Sequence, residues 1–273
     1  MVRDKFSATW LSHSSINDYL KCPRLYYLRH IYKDPKTGRK ITRIQPPLAL
    51  GQAVHTSIEA LAKLPVEERK INELLNIYEK NWEKISGKKG GFKDSLQEEE
   101  YKERGRRMIK RVISNPGPVL RKAIRIRQDL PYYWLSEEDN IILCGKIDWL
   151  EYDTDSDSVY IIDFKTGKND EDPDSMQLPI YYLITANTQT KPVKKIFYWY
   201  LDRDDNPVEM PLPDFKEAEK RILDVAKKVA LARKINHLDC KTGRCPHCQD
   251  LEDIVAGRGE FVGESDWQDV YII

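Results

Sequence analysis

After Asn115-Pro116-Gly117-Pro118 the chain changes period, and nothing else in it constrains the fold as strongly. Before that point apolar residues recur at helical spacing, as Val54, Ile58 and Leu61 do. After it, residues 123–134, 141–152 and 158–165 are rich in Ile, Leu, Val, Trp and Tyr and are separated by acidic turn segments, which predicts successive strands. Residues 174–185, with Met176, Ile180, Tyr181 and Ile184, predict a helix. Residues 194–202 predict a further strand from the alternation of Ile196, Tyr198 and Tyr200, and 215–232 an amphipathic helix. This order describes an α/β core, a mixed β-sheet flanked by helices.

The ends attach to that core differently. Ser12-His13-Ser14-Ser15 offers N-cap hydroxyls to a helix running to about Ile31 with one or two breaks, and Pro23 opens its second piece. Residues 48–64 predict a helix closed by Pro65, and 67–113 a charged helical insert interrupted by a Gly/Lys loop at 87–91. From 234 onward the chain reads as irregular and carries a group of cysteines. The expectation is a single domain over 1–273: a helical N-terminal region with insert (1–118), the α/β core (119–233) and a cysteine-bearing C-terminal tail (234–273).

Lysine and arginine total 45 against 44 acidic residues, so net charge indicates no polyanionic partner. Locally, however, residues 102–127 hold ten lysines and arginines, from Lys102 to Arg127, against Glu103. Such a segment attracts phosphates if its side chains share a face, and is otherwise a solvated helix surface. No run approaches the roughly 18 apolar residues of a membrane span, and the start lacks a secretory apolar core, so the expected location is the cytoplasm, with no membrane partner. In that compartment five cysteines argue for metal or cluster ligation where they bunch, at Cys240, Cys245 and Cys248. Cys144, within a predicted strand, reads as a small core residue.

Asp163 and Lys165 are two apart at the end of an apolar strand, so they project to one face. If the preceding strand pairs with theirs as a hairpin across the acidic linker 153–157, Asp148 of that strand reaches the same spot. Two carboxylates there repel unless a cation joins them, and hard oxygen ligands suit Mg²⁺ or Mn²⁺. A metal polarising a phosphodiester beside a lysine that orients water is the chemistry of phosphodiester hydrolysis. For an isolated Asp-x-Lys the alternative is that both acids merely end strands and pair with lysines.

Gly145-x-x-Asp148, Ile162-Asp163-Phe164-Lys165-Thr166-Gly167 and Gln177-x-x-x-Tyr181 together resemble the RecB-like nuclease branch of the PD-(D/E)xK superfamily. Upstream, Gly51-x-x-x-His55 resembles its helical Gly-x-x-x-His motif and Cys22-Pro23-Arg24-x-Tyr26 its N-terminal Cys-Pro helix. The resemblance implies a restriction-endonuclease-like core. It makes Asp148, Asp163 and His55 metal ligands with the main-chain carbonyl of Phe164, Lys165 the catalytic lysine, and Gln177 and Tyr181 its neighbours on one helical face. Glu59, one turn beyond His55, reads as an acceptor behind it or as an ordinary surface acid, outside the ligand set.

Many members of that branch hold a [4Fe-4S] cluster, which here implies Cys22, Cys240, Cys245 and Cys248 as ligands. The order departs from the usual one, since the single cysteine, Cys240, precedes the close pair. A structural Zn²⁺ on the same thiolates, with His247 or His237, is the competing expectation. The implied activity is metal-dependent DNA cleavage, by an exonuclease acting on single-stranded DNA or on free ends being unwound, in repair, recombination or CRISPR adaptation. The alternative is a non-cutting DNA-binding module of the same fold. No Gly-x-x-x-x-Gly-Lys-Ser/Thr is present, so unwinding is expected from a helicase or from a recombination or adaptation partner.

Overall fold

Helical and strand segments segregate along the chain much as their periods require. The computed structural model describes residues 4–124, 128, 130–265 and 267–273. They form two compact units: unit 1 comprises Met1–Ile44, Tyr132–Gly145 and Lys216–Ile273, and unit 2 Gln45–Pro131 and Lys146–Phe215. Among the described residues no helix is long and apolar enough to cross a membrane.

Unit 1 opens with β1 (Thr9–Leu11) and α1 (His13–Lys21). Ser12 caps α1 through a reciprocal pair of hydrogen bonds with Ser15, as the serine run suggests. Cys22 is an extended elbow after which Pro23 starts α2 (Pro23–Tyr26), and one π turn, Tyr27–Ile31, completes the segment. Then comes β2 (Lys40–Arg43), and the unit resumes at β3 (Tyr132–Ser136) and β4 (Ile141–Cys144). β4 lies between β1, parallel to it, and β3, antiparallel. Cys144 is buried in β4 as expected.

Unit 2 holds α3 (Pro46–Ala62), α4 (Leu74–Glu83) and α5 (Ser95–Ser114), then β5 (Trp149–Asp153), β6 (Ser158–Lys165), α6 (Gln177–Thr188), β7 (Val193–Tyr200) and β8 (Val208–Met210). α7 (Phe215–Lys234) begins at its end and belongs otherwise to unit 1. The sheet order is β5-β6-β7-β8, with β6 and β7 parallel and the outer pairs antiparallel. The expected hairpin across 153–157 is present. β6 buries Val159, Ile161, Ile162 and Phe164, the pattern of an interior strand covered on both faces. Gly105 lets α5 approach α3 and α4, because a Cβ there would meet Tyr78 Cζ at 2.6 Å and Leu50 Cδ1 at 2.9 Å. Tyr78 is buried and its hydroxyl donates to the Lys102 carbonyl at 3.0 Å, so it has little room to yield. Gly105→Val should therefore cost about 2 kcal/mol of overpacking, read as a lower urea midpoint. An unchanged midpoint would show that α5 moves away without cost.

Three expectations are corrected. The strand 123–134 is only Tyr132–Ser136; Ala123 makes one isolated bridge to Glu151, and Arg125, Ile126, Arg127 and Asp129 lie outside the described residues. The strand 141–152 is broken at Gly145-Lys146-Ile147-Asp148, and its halves enter different sheets, so Asp148 sits in the break and not within a strand. The tail is irregular only through its cysteine-bearing part, 235–248; beyond it α8 (Gln249–Val255), β9 (Glu260–Ser265) and β10 (Gln268–Ile272) follow, with β10 between β9 and β2. Asp269 hid that strand by breaking its apolar alternation; its buried carboxylate accepts from Arg39 Nε at 2.8 Å and Thr37 Oγ1 at 2.7 Å.

The basic segment is also largely neutralised within unit 2. Lys102 and Arg106 pair with Glu79, Arg104 with Asp202, Arg111 with Asp205 and Arg121 with Glu151. Distant acids supply the charge that the local sequence lacked; Arg125 and Arg127 lie outside the described residues.

Candidate active site

The end of β6 places the candidate reacting groups. Asp163 and Lys165 share a face, as strand alternation requires, and Lys165 Nζ lies 2.9 Å from Asp163 Oδ2. Phe164 points the other way, among Trp149, Trp199 and the edge of the His55 ring, with centroids 5.9–6.3 Å away, which locks the strand end. Asp148 immediately precedes Trp149, which pairs with Ile162 of β6. From the break, its Oδ2 accepts the Phe164 N–H at 3.0 Å. The interruption of the strand is thus what aims this carboxylate.

α3 supplies the imidazole. A Cβ on Gly51 would stand 3.2 Å from Thr166 Oγ1, so the glycine permits the helix to pass close beside the end of β6. One turn later His55 Nδ1 lies 3.3 Å from Asp148 Oδ2. Ligand atoms of His55, Glu59 and Asp148 all fall within 4.8 Å of one another, so Glu59, set aside on sequence, stands in this group; its carboxylate also pairs with Lys146.

α6 supplies the clamp. Gln177 Nε2 donates to Asp163 Oδ1 at 2.8 Å and to the Tyr181 hydroxyl at 3.3 Å, while its Oε1 accepts from Lys165 Nζ. The i, i+4 spacing places Gln177 and Tyr181 on one helical face, as expected. Glu171 Oε2, 2.9 Å from Lys165 Nζ, was missed on sequence because it lies in an acidic loop that reads as solvated. The Lys165 ammonium also stands 4.7 Å from the Tyr198 ring centroid.

These placements set the charges. Burial, with the neighbouring Asp148 charge, pushes Asp163 up to about 7, against the pull of Lys165 and His55. Burial opposes the charged forms of His55 and Lys165, but Asp148, with Asp163 and Glu59, raises the imidazole, and Asp163 with Glu171 raises the ammonium. Tyr181 is held protonated by burial and by the two aspartates. The set is thus short of positive charge. Asp163 Oδ2 is buried and accepts no hydrogen bond, its contact with Lys165 being an ion pair only. A divalent cation meets both deficits, and carboxylate oxygens beside one imidazole nitrogen fit Mg²⁺ or Mn²⁺.

The family model of the PD-(D/E)XK nuclease superfamily matches residues 10–250. The chain belongs to the PD-(D/E)XK nuclease superfamily. No curated protein matches it. The matched span includes Asp148, Asp163 and Lys165. The matched span also takes in all four clustered cysteines, Cys22, Cys240, Cys245 and Cys248.

Of the residues singled out on sequence, unit 2 places His55 with Asp148, and Glu59, within ligand distance of one another, and Asp163 with Lys165, Gln177 and Tyr181; Asp163 is not in the first group, and the Phe164 N–H on Asp148 connects the two. Unit 1 brings together the four cysteines. Burial holds the Cys248 thiol up at about 12, and the Thr242 hydroxyl draws Cys240 down to about 6. His237 and His247 are exposed and stand outside that cluster.

Proposed function

We propose that this chain is a Mg²⁺- or Mn²⁺-dependent deoxyribonuclease of the RecB-like branch, a single nuclease domain acting in the cytoplasm as an exonuclease on single-stranded or unwound DNA. The observation that carries the reading is Gln177, which grips Asp163 and Lys165 at once beside Asp148 and His55. An Asp163–Lys165 pair that merely ended a strand would need no such clamp. The upstream Gly51-x-x-x-His55 pair, delivered beside Asp148 by close helix passage, supports the RecB-like assignment. A helicase or a recombination or adaptation protein is the proposed source of unwound ends.

Asp148, Asp163 and His55, with the Phe164 carbonyl, would hold the metal, which supplies Lewis-acid polarisation of the scissile phosphodiester. Lys165, held charged by Asp163 and Glu171, stabilises negative charge building on the phosphate and orients the attacking water. Water adds to phosphorus while the bond to one sugar oxygen breaks, leaving a phosphate on one end and a hydroxyl on the other. Gln177 fixes Lys165 and Asp163 relative to each other, and Tyr181 keeps its proton and offers a hydrogen bond at the same place.

The test is degradation of end-labelled single- and double-stranded DNA with each metal. Cleavage lost in Lys165→Ala supports the reading, and the product ladder reports the polarity. Gln177→Ala should lower the rate about 10- to 100-fold, chiefly in kcat, because it orients the reacting groups. A folded native chain that binds DNA and cuts with neither metal would instead make this a binding module.

A further inference from the structure

The four clustered thiols of unit 1 lie closer together than an iron–sulfur cube permits. The Sγ atoms of Cys22, Cys240, Cys245 and Cys248 all fall within 4.8 Å of one another, and those of Cys245 and Cys248 are 3.7 Å apart. A single tetrahedral Zn²⁺ with bonds of about 2.3 Å sets its sulfur ligands about 3.8 Å from each other. In a [4Fe-4S] cluster each thiolate binds a different iron on the outside of the cube, which spreads the four sulfurs to roughly 6 Å. The donor atoms present do not fit the larger group.

Two further observations point the same way. Cys245-Pro246-His247-Cys248 is a tight turn in which the Cys248 N–H donates to the Cys245 carbonyl at 3.2 Å and the Cys245 N–H to Cys248 Sγ at 3.4 Å. That folds both sulfurs toward one point, as the paired cysteines of zinc ribbons do. Around them, Leu25, Leu28, Ile41, Leu251 and Ile254 close a buried apolar cluster that includes Cys22 and Cys248, so a cube would have to part packed side chains.

We propose that Cys22, Cys240, Cys245 and Cys248 hold one Zn²⁺ in an all-thiolate tetrahedral site in place of the [4Fe-4S] cluster implied by the resemblance. Four soft thiolates complete the coordination, and no histidine is needed. Closed by four protein ligands, the site has no position for substrate, so its work is to staple the Cys22 elbow to the segment before α8. It is independent of the carboxylate site.

The full chain, produced with both iron and zinc in the medium and purified without oxygen, is analysed for zinc, iron and acid-labile sulfide. The expected result is one equivalent of zinc, no sulfide and no visible colour. Near-stoichiometric iron and sulfide with broad visible absorption would overturn the proposal. If the protein emerges metal-free, titration with Co²⁺ decides. Intense thiolate-to-cobalt and tetrahedral bands saturating at one equivalent, and altered in Cys240→Ser, support the site. Their absence, with a cluster forming from iron and sulfide, sinks it.

Discussion

Asp163→Asn should lower metal-dependent DNA cleavage by on the order of 10³-fold while leaving the metal-free protein at least as stable as the native chain. The two effects come from one atom set. Asp163 is buried, carries an oxygen whose one polar contact is the ion pair with Lys165, and is pushed up to about 7 by burial and by the charge of Asp148. Its ionised form therefore costs the folded state, and a bound cation removes that cost. Asparagine offers no anionic ligand, but it also carries no charge to bury, and its amide oxygen can still accept from Gln177. A variant that loses activity and unfolds earlier would mean that Asp163 holds the fold together and is not a poised ligand.

The same residue predicts a pH signature. In the unfolded chain the carboxyl gives up its proton in the ordinary carboxylate range, and in the folded chain only near 7. The unfolded state therefore binds fewer protons in between, so metal-free native protein should lose stability as pH rises through that window. Thermal melts across the window should show this slope in the native chain, a weaker slope with Mn²⁺ present and a weaker slope in Asp163→Asn. Equal slopes in all three would remove Asp163 from the account.

Cys248→Ala should unfold unit 1 rather than tune the chemistry. The thiol is fully buried among Leu25, Leu28, Ile41, Leu251 and Ile254, at the turn that brings two of the four sulfurs together. A structural metal on thiolates contributes on the order of 10 kcal/mol, comparable with the roughly 5–15 kcal/mol that holds a whole domain folded. Limited proteolysis should therefore open the segments of unit 1, at 4–44, 132–145 and 216–273, and a strong chelator should do the same to the native chain. Resistance matching the untreated native protein in both cases would mean that the apolar cluster alone suffices.

Much of the candidate site was legible because it depends on local rules. Alternation puts Asp163 and Lys165 on one face, helical spacing pairs Gln177 with Tyr181, and Gly51 precedes His55 by one turn. Glu59 was visible one turn beyond His55 but reads equally as a surface acid, and Glu171, in an acidic loop that reads as solvated, was missed; what separates them from ordinary exposed glutamates is their approach to Asp148 and to Lys165 in the fold. The break at 145–148 was invisible for a related reason: Ile141 to Tyr152 is apolar enough for one long strand, and only the choice of sheet by each half divides it. The basic run could not be decided on sequence for a similar reason, since the carboxylates that pair with much of it, Glu79, Glu151, Asp202 and Asp205, lie outside it. Four cysteines marked a ligand set, but which group they hold is a matter of sulfur spacing, which spacing in sequence does not encode.

β10 pairs in parallel with β2, Gln268 opposite Lys40 and Tyr271 opposite Arg43, and occupies the middle of its sheet. During synthesis, β2 leaves the ribosome with its partner still more than two hundred residues away, while all of unit 2 is made in the interval. Closing so long a loop is slow, and until it closes β2 presents unpaired backbone that other chains can capture. Unit 2 therefore has the opportunity to fold first, and chaperones that shield nascent strands should raise the yield of this protein more than that of one whose sheets are built from neighbouring hairpins.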